Sequence, residues 1–150
     1  MSEHSGAYLI LTAQFNALVT ERLAAGARDA LLRAGIAEKQ IEDARVAGAW
    51  EMPPVALAAA RSGRYAAIIA CGAVIRGETP HFDHVARAAV DGLARVQLET
   101  LVPVGLALLT TDTLEQALNR AGGKAGNKGG EAALAALESV AALQPYRGRG

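Results

Sequence analysis

The stretch YAAIIAC, residues 65–71, is the strongest indication of the fold in this chain, and Gly72 follows directly after it. It carries no charged side chain and is apolar at successive positions instead of alternating between apolar and polar. A strand that is apolar on both faces is typical of a parallel sheet covered by helices on both sides. We therefore predict a buried strand over residues 65–71 that ends at Gly72.

The segments on either side of this strand alternate between strand-like and helix-like patterns. Further strands are predicted at residues 8–12, 41–46 and 103–109, and helices at residues 18–34, 53–62, 83–101, 112–120 and 127–143. Gly35 is a natural stop for the first helix, and Asp112 with Glu115 is predicted to cap the fourth. This order predicts a single α/β domain over residues 1–150, a three-layer α/β/α sandwich with a four-stranded parallel sheet. Residues 1–6 and 145–150 are expected to be flexible.

The composition excludes several classes of protein. Fifteen basic and fifteen acidic residues give zero net charge, so nucleic acid is not an expected partner, and self-association is favoured. No apolar run is long enough for a membrane span, and the first six residues do not resemble a signal peptide, so we expect a cytoplasmic protein. The single cysteine, Cys71, excludes an internal disulfide and is expected to be buried and inert.

Ligands of open parallel sheets bind beyond the carboxyl ends of the strands, so the residues after each strand are the candidates for a site. Three of the six aromatic residues, Phe15, Trp50 and Phe82, follow predicted strands. A planar heteroaromatic ligand stacked between Phe15 and Trp50 would account for two of them. The alternative is that these side chains pack over the edge of the sheet.

The loop over residues 76–83 holds most of the reactive groups. Gly77 and Thr79 form a candidate anion site near the start of the next helix, suited to phosphate. His81 can exchange protons near neutral pH, although a lone histidine also serves as a packing or surface residue. No ligand spacing around His81 indicates a metal, and His84 is expected to be exposed.

A basic cluster of Arg120, Lys124 and Lys128 surrounds a glycine-rich break. It has an ordinary interpretation as a solvated helix junction, and a functional one as the source of a cation for the bound anion.

At these residues the chain resembles the lumazine synthase family. The matching segments are FN at 15–16, GAWEMP at 48–53, GAVIRGETPHFD at 72–83, LEQA at 114–117 and RAGGKAGNKG at 120–129. They occur in the family's order between about residues 8 and 143. The resemblance implies a flavodoxin-like sheet and condensation of 5-amino-6-(D-ribitylamino)uracil with 3,4-dihydroxy-2-butanone 4-phosphate, without a metal or an organic cofactor.

The resemblance also implies roles for individual residues. The pyrimidine substrate would be bound by Phe15, Ala49, Trp50, Glu51, Ala73, Val74, Ile75 and Leu106. The phosphate would be bound by Glu78, Thr79, Arg120 and Lys128. His81 would shuttle protons. In the family, the counterparts of Leu106, Arg120 and Lys128 reach into the neighbouring subunit's site, which implies a homopentamer at least. The glycine-rich junction favours further assembly of pentamers into an icosahedral cage.

Three features depart from the family pattern. Leu106 stands where many members carry Phe, Glu78 stands where a small residue is common, and the arm before Tyr8 is short. The alternatives are a riboflavin synthase of the same fold that dismutates two lumazines, a non-catalytic shell protein and a flavodoxin-like carrier. The residues after the first strand, TAQFN at 12–16, argue against the carrier because they are poor in hydroxyl groups.

Overall fold

The central sheet has four parallel strands in the order β2-β1-β3-β4 in the computed structural model, which describes residues 6–147. The strands are β1 (Ala7–Ala13), β2 (Ile41–Val46), β3 (Tyr65–Ile75) and β4 (Val104–Thr111). Ile10 lies at the centre, paired with Asp43 on one side and with Ile69 on the other. Ile69 in turn pairs with Gly105 of β4.

Five α-helices within residues 6–147 cover the two faces of the sheet. They are α1 (Ala17–Arg33), α2 (Met52–Arg61), α3 (Phe82–Thr100), α4 (Leu114–Arg120) and α5 (Lys128–Leu143). One face packs against α1, α4 and α5, and the other packs against α2 and α3. None of the described helices is both long and apolar enough to cross a membrane.

The strands bury both of their faces, as the uniform apolar pattern predicts. Tyr8 and Ile10 of β1 belong to the core under α1 and α5, and the alternate residues Leu9 and Leu11 belong to the core under α2. Because side chains alternate across a strand, both sets must be apolar when helices lie on both faces. The predicted three-layer α/β/α sandwich with a four-stranded parallel sheet is confirmed.

The prediction that the third strand ends at Gly72 is wrong, because β3 continues to Ile75. Beyond Gly72 it remains paired with β4 as far as Ile75 opposite Thr111. A Cβ atom on residue 72 would lie 2.8 Å from Leu108 Cδ1, so the missing side chain makes room for Leu108 and does not break the strand. Three residues expected after the strand, Ala73 to Ile75, therefore lie within it.

The predicted cap of the fourth helix is shifted by one residue. The N-cap is Thr113, whose Oγ1 accepts a hydrogen bond from Gln116 N at 3.1 Å. Gln116 Oε1 accepts from the backbone N–H groups of Asp112 and Thr113, which completes a capping box. Asp112 is instead used by Arg76, whose Nε donates to its carboxylate at 2.9 Å.

The glycine-rich break after α4 forms a small antiparallel pair, β5 (Ala121–Gly123) with β6 (Gly126–Asn127), which was not predicted. At the carboxyl end, residues 144–146 form a 3-10 turn, and Arg147 donates a hydrogen bond to Leu101 O at 3.0 Å. Residues 145–147, within the end expected to be flexible, thus make a described turn and a hydrogen bond to the end of α3. Gly6 also takes part in the fold, because its carbonyl accepts from Gln40 Nε2. Residues 1–5 and 148–150 lie outside the described range.

Cys71 is fully buried in β3, as predicted, and burial raises the pKa of its thiol to about 12. At pH 8 the thiol is therefore protonated in the folded protein, and the thiolate is the species that reacts. We expect no labelling of native protein by a disulfide reagent at pH 8 within an hour. Denatured protein should react completely, and rapid labelling of the native state would show that β3 opens readily.

Candidate active site

A cavity of about 240 Å³ opens at the carboxyl ends of β1, β2 and β3. Its walls are built by Phe15, Asn16, Gly48, Ala49, Trp50, Glu51, Ala73, Val74, Ile75, Glu78, Thr79 and Val85. The first strand, the second strand and the third strand each contribute one segment of this wall. The cavity thus lies where the rule for open parallel sheets places ligands.

The first wall is the corner between β1 and α1, which carries Phe15. Its backbone is held by two hydrogen bonds of 2.8 Å, from Gln14 N to Val46 O and from Phe15 N to Ala47 O. The Phe15 side chain is 66% exposed in the single chain. An aromatic ring held at this angle and left open to solvent can stack on a planar ligand.

The second wall is a 3-10 turn over Ala49–Glu51 that leads into α2. Trp50 is 61% exposed on this turn, whereas Ala49 is buried beneath it. A Cβ atom on Gly48 would come within 3.3 Å of Glu51 Oε1, so the glycine leaves space for this carboxylate. The turn therefore presents an indole and a hydrogen-bond acceptor to the same cavity.

The third wall is the end of β3 and the segment that follows it. Ala73, Val74 and Ile75 have little exposed surface, and they form the floor of the cavity. The chain then forms a 3-10 turn over Arg76–Glu78, and Thr79 follows in an extended conformation. Thr79 Oγ1 accepts a hydrogen bond of 3.1 Å from His81 N.

Arg76 stabilises this third wall. Its guanidinium pairs with Asp112 at 2.9 Å and with Asp83 at 3.6 Å, and it stacks 4.4 Å from the centre of the Phe82 ring. Phe82 is buried at the start of α3, which agrees for this residue with the alternative that the aromatic side chains after the strands pack against the protein. The Arg76 guanidinium is therefore already paired with two carboxylates and stacked on an aromatic ring, and it is not available to pair with a ligand.

The charges of the cavity are unbalanced for an anionic ligand. Among the described residues that line it, the charged side chains are Glu51 and Glu78, and none is basic. An anion bound here would therefore lie in a cavity whose charged lining residues are both acidic. A cation from outside this set is therefore needed to neutralise a bound phosphate.

The structure gathers nine of the predicted site residues around this cavity and leaves four outside its lining. The nine are Phe15, Ala49, Trp50, Glu51, Ala73, Val74, Ile75, Glu78 and Thr79. The four outside the lining are His81, Leu106, Arg120 and Lys128.

His81 is exposed at the N-cap position of α3, two residues beyond Thr79. Arg120 is exposed at the end of α4. Leu106, 41% exposed on the edge strand β4, lines a separate groove together with Lys128. The single chain therefore does not bring Leu106, Arg120 and Lys128 to the cavity.

Three lining residues received no role from the sequence. Gly48 and Asn16 stand beside residues that did, so their positions after β2 and β1 were a usable signal. Val85 comes from the first turn of α3, and an apolar residue at that position is indistinguishable from an ordinary core residue in the sequence. Within residues 6–147, no group of three or more His, Cys, Asp or Glu side chains is arranged to hold a metal ion.

Comparison with known proteins identifies the family. The family model described as 6,7-dimethyl-8-ribityllumazine synthase matches residues 6–144. The chain belongs to the lumazine synthase family. Two relatives carry the name 6,7-dimethyl-8-ribityllumazine synthase. The one from Nitratidesulfovibrio vulgaris (strain DSM 19637 / Miyazaki F) is 53% identical over 137 residues, which cover 91% of this chain and 88% of the relative. The one from Desulfatibacillum aliphaticivorans is 50% identical over 138 residues, covering 92% of this chain and 89% of the relative.

The match to the lumazine synthase family includes every element that builds the cavity. Its bounds run from the residue before β1 to the residue after α5. All thirteen residues that the resemblance singled out lie inside these bounds, both the nine at the cavity and the four away from it. The family resemblance noted on the sequence motifs is confirmed.

Proposed function

We propose that this chain is a 6,7-dimethyl-8-ribityllumazine synthase in the penultimate step of riboflavin biosynthesis. It condenses 5-amino-6-(D-ribitylamino)uracil with 3,4-dihydroxy-2-butanone 4-phosphate and releases phosphate and water. The observation that carries this proposal is the membership of the lumazine synthase family, with two relatives of that name at 50% and 53% identity over most of both chains.

The pyrimidine substrate would enter between the first and second walls of the cavity. Phe15 and Trp50 are aromatic and more than half exposed there, so both can stack on the ring. Glu51 would accept hydrogen bonds from the ribityl hydroxyls. The backbone of Ala73, Val74 and Ile75 would contact the edge of the ring, since these residues form the floor of the cavity.

The phosphate of the second substrate would bind at the third wall. Because Thr79 Oγ1 already accepts from His81 N, its hydroxyl hydrogen can turn towards a bound phosphate oxygen. The first N–H groups of α3 have no partner within the helix and attract an anion. The Glu78 carboxylate would point away and serve through its backbone, because a carboxylate beside phosphate is repulsive.

A neighbouring subunit would complete this phosphate site. The cavity lacks a basic side chain among its described lining residues, and Arg76 is held by Asp83 and Asp112. Arg120 and Lys128 are exposed, and in a ring of identical subunits one chain's Arg120 can serve the next chain's cavity. We therefore propose a homopentamer as the minimal active unit, able to assemble further into an icosahedral cage.

Leu106 would reach the same neighbouring cavity from β4. As an aliphatic residue it can cover the pyrimidine but cannot add the ring stacking that Phe provides in many members of the family. The pyrimidine would then depend more heavily on Phe15 and Trp50 of its own subunit.

The reaction requires mainly orientation, because the amine nucleophile and the ketone electrophile are already reactive. Holding two reactants in place can contribute about 7–11 kcal/mol. His81 would carry protons during formation of the Schiff base and loss of phosphate, which typically contributes a factor of about 10²–10⁴. This role is supported by its position at the start of α3, where His81 N donates to Thr79 Oγ1, a proposed phosphate ligand.

We expect His81→Ala to lower kcat by no more than about 10²-fold, the low end of the range for acid–base catalysis. Water can replace a solvent-exposed proton carrier in part, whereas it cannot replace the orientation of two substrates. Steady-state rates across pH 6–9 measure the effect. His84→Ala is the matched control, since His84 is also exposed on α3 and should leave the rate unchanged. Complete loss of activity in His81→Ala would make proton transfer the dominant contribution.

The proposal is tested by mixing the purified protein with both substrates and following lumazine fluorescence against a control without protein. Faster formation of 6,7-dimethyl-8-ribityllumazine is the expected result. Incubation with lumazine alone tests the riboflavin synthase alternative, which would yield riboflavin. A rate equal to the control, from a folded oligomer, would instead favour a non-catalytic shell protein.

A further inference from the structure

The turn between β1 and α1 contains a residue with an unusual backbone. Asn16 has φ 63° and ψ 45°, in the left-handed region. Among the described residues, the other non-glycine residue with positive φ is Leu101, which does not line the cavity. Asparagine tolerates this conformation better than most residues, but it is still uncommon. This conformation directs the chain from the end of β1 into α1, immediately after Phe15.

The side chain of Asn16 does not act as a helix cap. Asn16 occupies the N-cap position of α1, where an Asn side chain commonly accepts from the first turn of the helix, but here it makes no such bond. Instead, Nδ2 donates a hydrogen bond of 3.0 Å to Ala73 O. The backbone carbonyl of Asn16 still accepts from Val19 N and Thr20 N. The side chain is therefore used for a tertiary contact.

This contact joins two walls of the cavity beyond the point where the hydrogen bonds between β1 and β3 end. The ladder between β1 and β3 reaches Thr12 opposite Cys71, and Ala73 lies beyond that pair. Asn16 supplies a donor to the Ala73 carbonyl where the ladder has ended. It thus connects the corner that carries Phe15 to the floor of the cavity.

Phe15 itself has little packing to hold its ring, since its side chain is two-thirds exposed. Its backbone is tied to the end of β2 through Ala47 O, and the next residue is tied to β3 through Ala73 O. The direction of the ring therefore depends on both ties. The corner is also held by Thr20 Oγ1, which donates to Ala13 O at 2.7 Å, but the Asn16 amide makes the described side-chain hydrogen bond from the corner to β3.

We propose that Asn16 is a positioning residue, which acts through Phe15 to hold its ring parallel to the pyrimidine substrate. This inference rests on the proposed function and adds to it a residue that need not touch the substrate. A positioning residue of this kind affects binding of the pyrimidine and leaves binding of the phosphate substrate unchanged.

Three substitutions of Asn16 distinguish the effect of its side-chain amide from the effect of its backbone conformation. Asn16→Asp keeps the size and the tolerance for positive φ but replaces the donor by a carboxylate. Asn16→Gly keeps the conformation and removes the side chain, whereas Asn16→Ala loses both the donor and the preference for positive φ. We expect the KM for the pyrimidine to rise about tenfold in the Asn16→Asp and Asn16→Gly variants. It should rise further in the Asn16→Ala variant. The KM for the butanone phosphate and the kcat should stay within about threefold, because a loss of uniform binding raises KM alone.

The decisive measurement is a double-mutant cycle with Phe15→Ala. If Asn16 acts through Phe15, adding Asn16→Gly to Phe15→Ala raises the pyrimidine KM by less than about twofold, since the ring it positions is gone. Fully additive effects, or a fall in kcat with unchanged KM, would overturn the inference. Gln14→Ala is the control, because Gln14 is an exposed neighbour that does not line the cavity. Equal melting temperatures and oligomer size across the set show that the variants fold alike.

Binding is also measured without turnover. Trp50 is the single tryptophan of the chain and lies on the cavity wall, so quenching of its fluorescence by the pyrimidine alone reports the Kd. The same tenfold weakening and the same non-additivity are expected in this titration. If the wild type forms no lumazine but the variants show this tenfold, non-additive weakening of pyrimidine binding, the proposed function is contradicted and the role of Asn16 is supported. Wild-type activity with additive Kd effects would contradict the role of Asn16 alone.

Discussion

Replacing Arg120 by Ala is expected to lower kcat/KM by about 10²- to 10³-fold, mainly through a higher KM for the butanone phosphate. Truncating one member of a partly desolvated charge pair costs about 3–4 kcal/mol, and each 1.4 kcal/mol is a factor of ten. The described lining of the cavity has Glu51 and Glu78 as its charged side chains and no cation, so nothing in it can replace the lost arginine. Steady-state kinetics with each substrate varied in turn measure the effect.

Two further variants define the role of Arg120. Arg120→Lys keeps the charge but loses the two-pronged geometry that fits phosphate, so its activity should lie between Ala and wild type. Lys124→Ala removes a charge from the exposed loop that follows α4 and should change kcat/KM by less than about twofold, since exposed charges are screened. If Arg120→Ala and Lys124→Ala lowered kcat/KM equally, a general positive potential would attract the substrate, and a specific pair between Arg120 and the phosphate would be excluded.

Mixed oligomers test whether Arg120 serves the neighbouring subunit. Thr79→Asp puts a carboxylate at the phosphate site and should be inactive, as should Arg120→Ala at low substrate concentration. When equal amounts of both variants are refolded together, about a quarter of the sites in a ring combine an intact cavity with an intact neighbouring arginine. We expect about that fraction of wild-type activity. A mixture no more active than its separate components would place Arg120 in the site of its own chain.

The largest expected effect on stability belongs to Gly129→Ala, in the first turn of α5. A Cβ atom on this residue would lie 1.9 Å from Leu23 O and 2.9 Å from Leu23 Cα in α1. These are backbone atoms, so no side chain can rotate away, and the two helices must separate. Overpacking of this kind costs about 3 kcal/mol at the upper end of its usual range. For a chain of this size that corresponds to a fall in Tm of about 6–12 °C, measured by thermal unfolding.

The adjacent glycine is a matched control for this prediction. A Cβ atom on Gly130 would meet Gly26 O at 3.4 Å, which is ordinary contact. Alanine also favours a helix over glycine by about 0.8–1 kcal/mol, so Gly130→Ala should leave the Tm unchanged or raise it. If Gly129→Ala and Gly130→Ala unfolded at the same temperature, the close approach of α1 and α5 would be refuted.

The close approach of these helices also depends on Asn127. Its Oδ1 accepts from Gly129 N and Gly130 N at the start of α5, and its Nδ2 donates to Arg22 O of α1 at 3.0 Å. The segment RAGGKAGNKG, residues 120–129, is thus fastened to α1 at its carboxyl end. The prediction of a helix from residue 127 is displaced by one residue, because Asn127 caps the helix that begins at Lys128.

The strands and the long helices could be predicted because each depends on a local, repeated pattern. The second strand was predicted at residues 41–46 and is found there, and Gly35 ends α1 with a φ of 97°. The failures lie where a distant contact overrides a local signal. Glycine disfavours a strand locally, so Gly72 was predicted to end β3. The strand nevertheless continues to Ile75 because these residues pair with β4. For Phe82 the sequence left a ligand contact and packing on the protein both open, and its contacts with Arg76 and with the core at the start of α3 favour packing.

The sequence by itself determined the layers of the fold, the family and the nine residues that meet at the cavity. The family motifs supplied these nine residues, and the position of most of them after a strand agrees with the convergence of parallel strand ends on one edge of the sheet. Only the tertiary structure decided which charges face the ligand. It pairs Arg76 with Asp83 and Asp112, and it leaves Arg120 away from its own cavity. It also turns the Asn16 amide towards Ala73. These outcomes depend on distances between segments far apart in the chain, which no local pattern encodes.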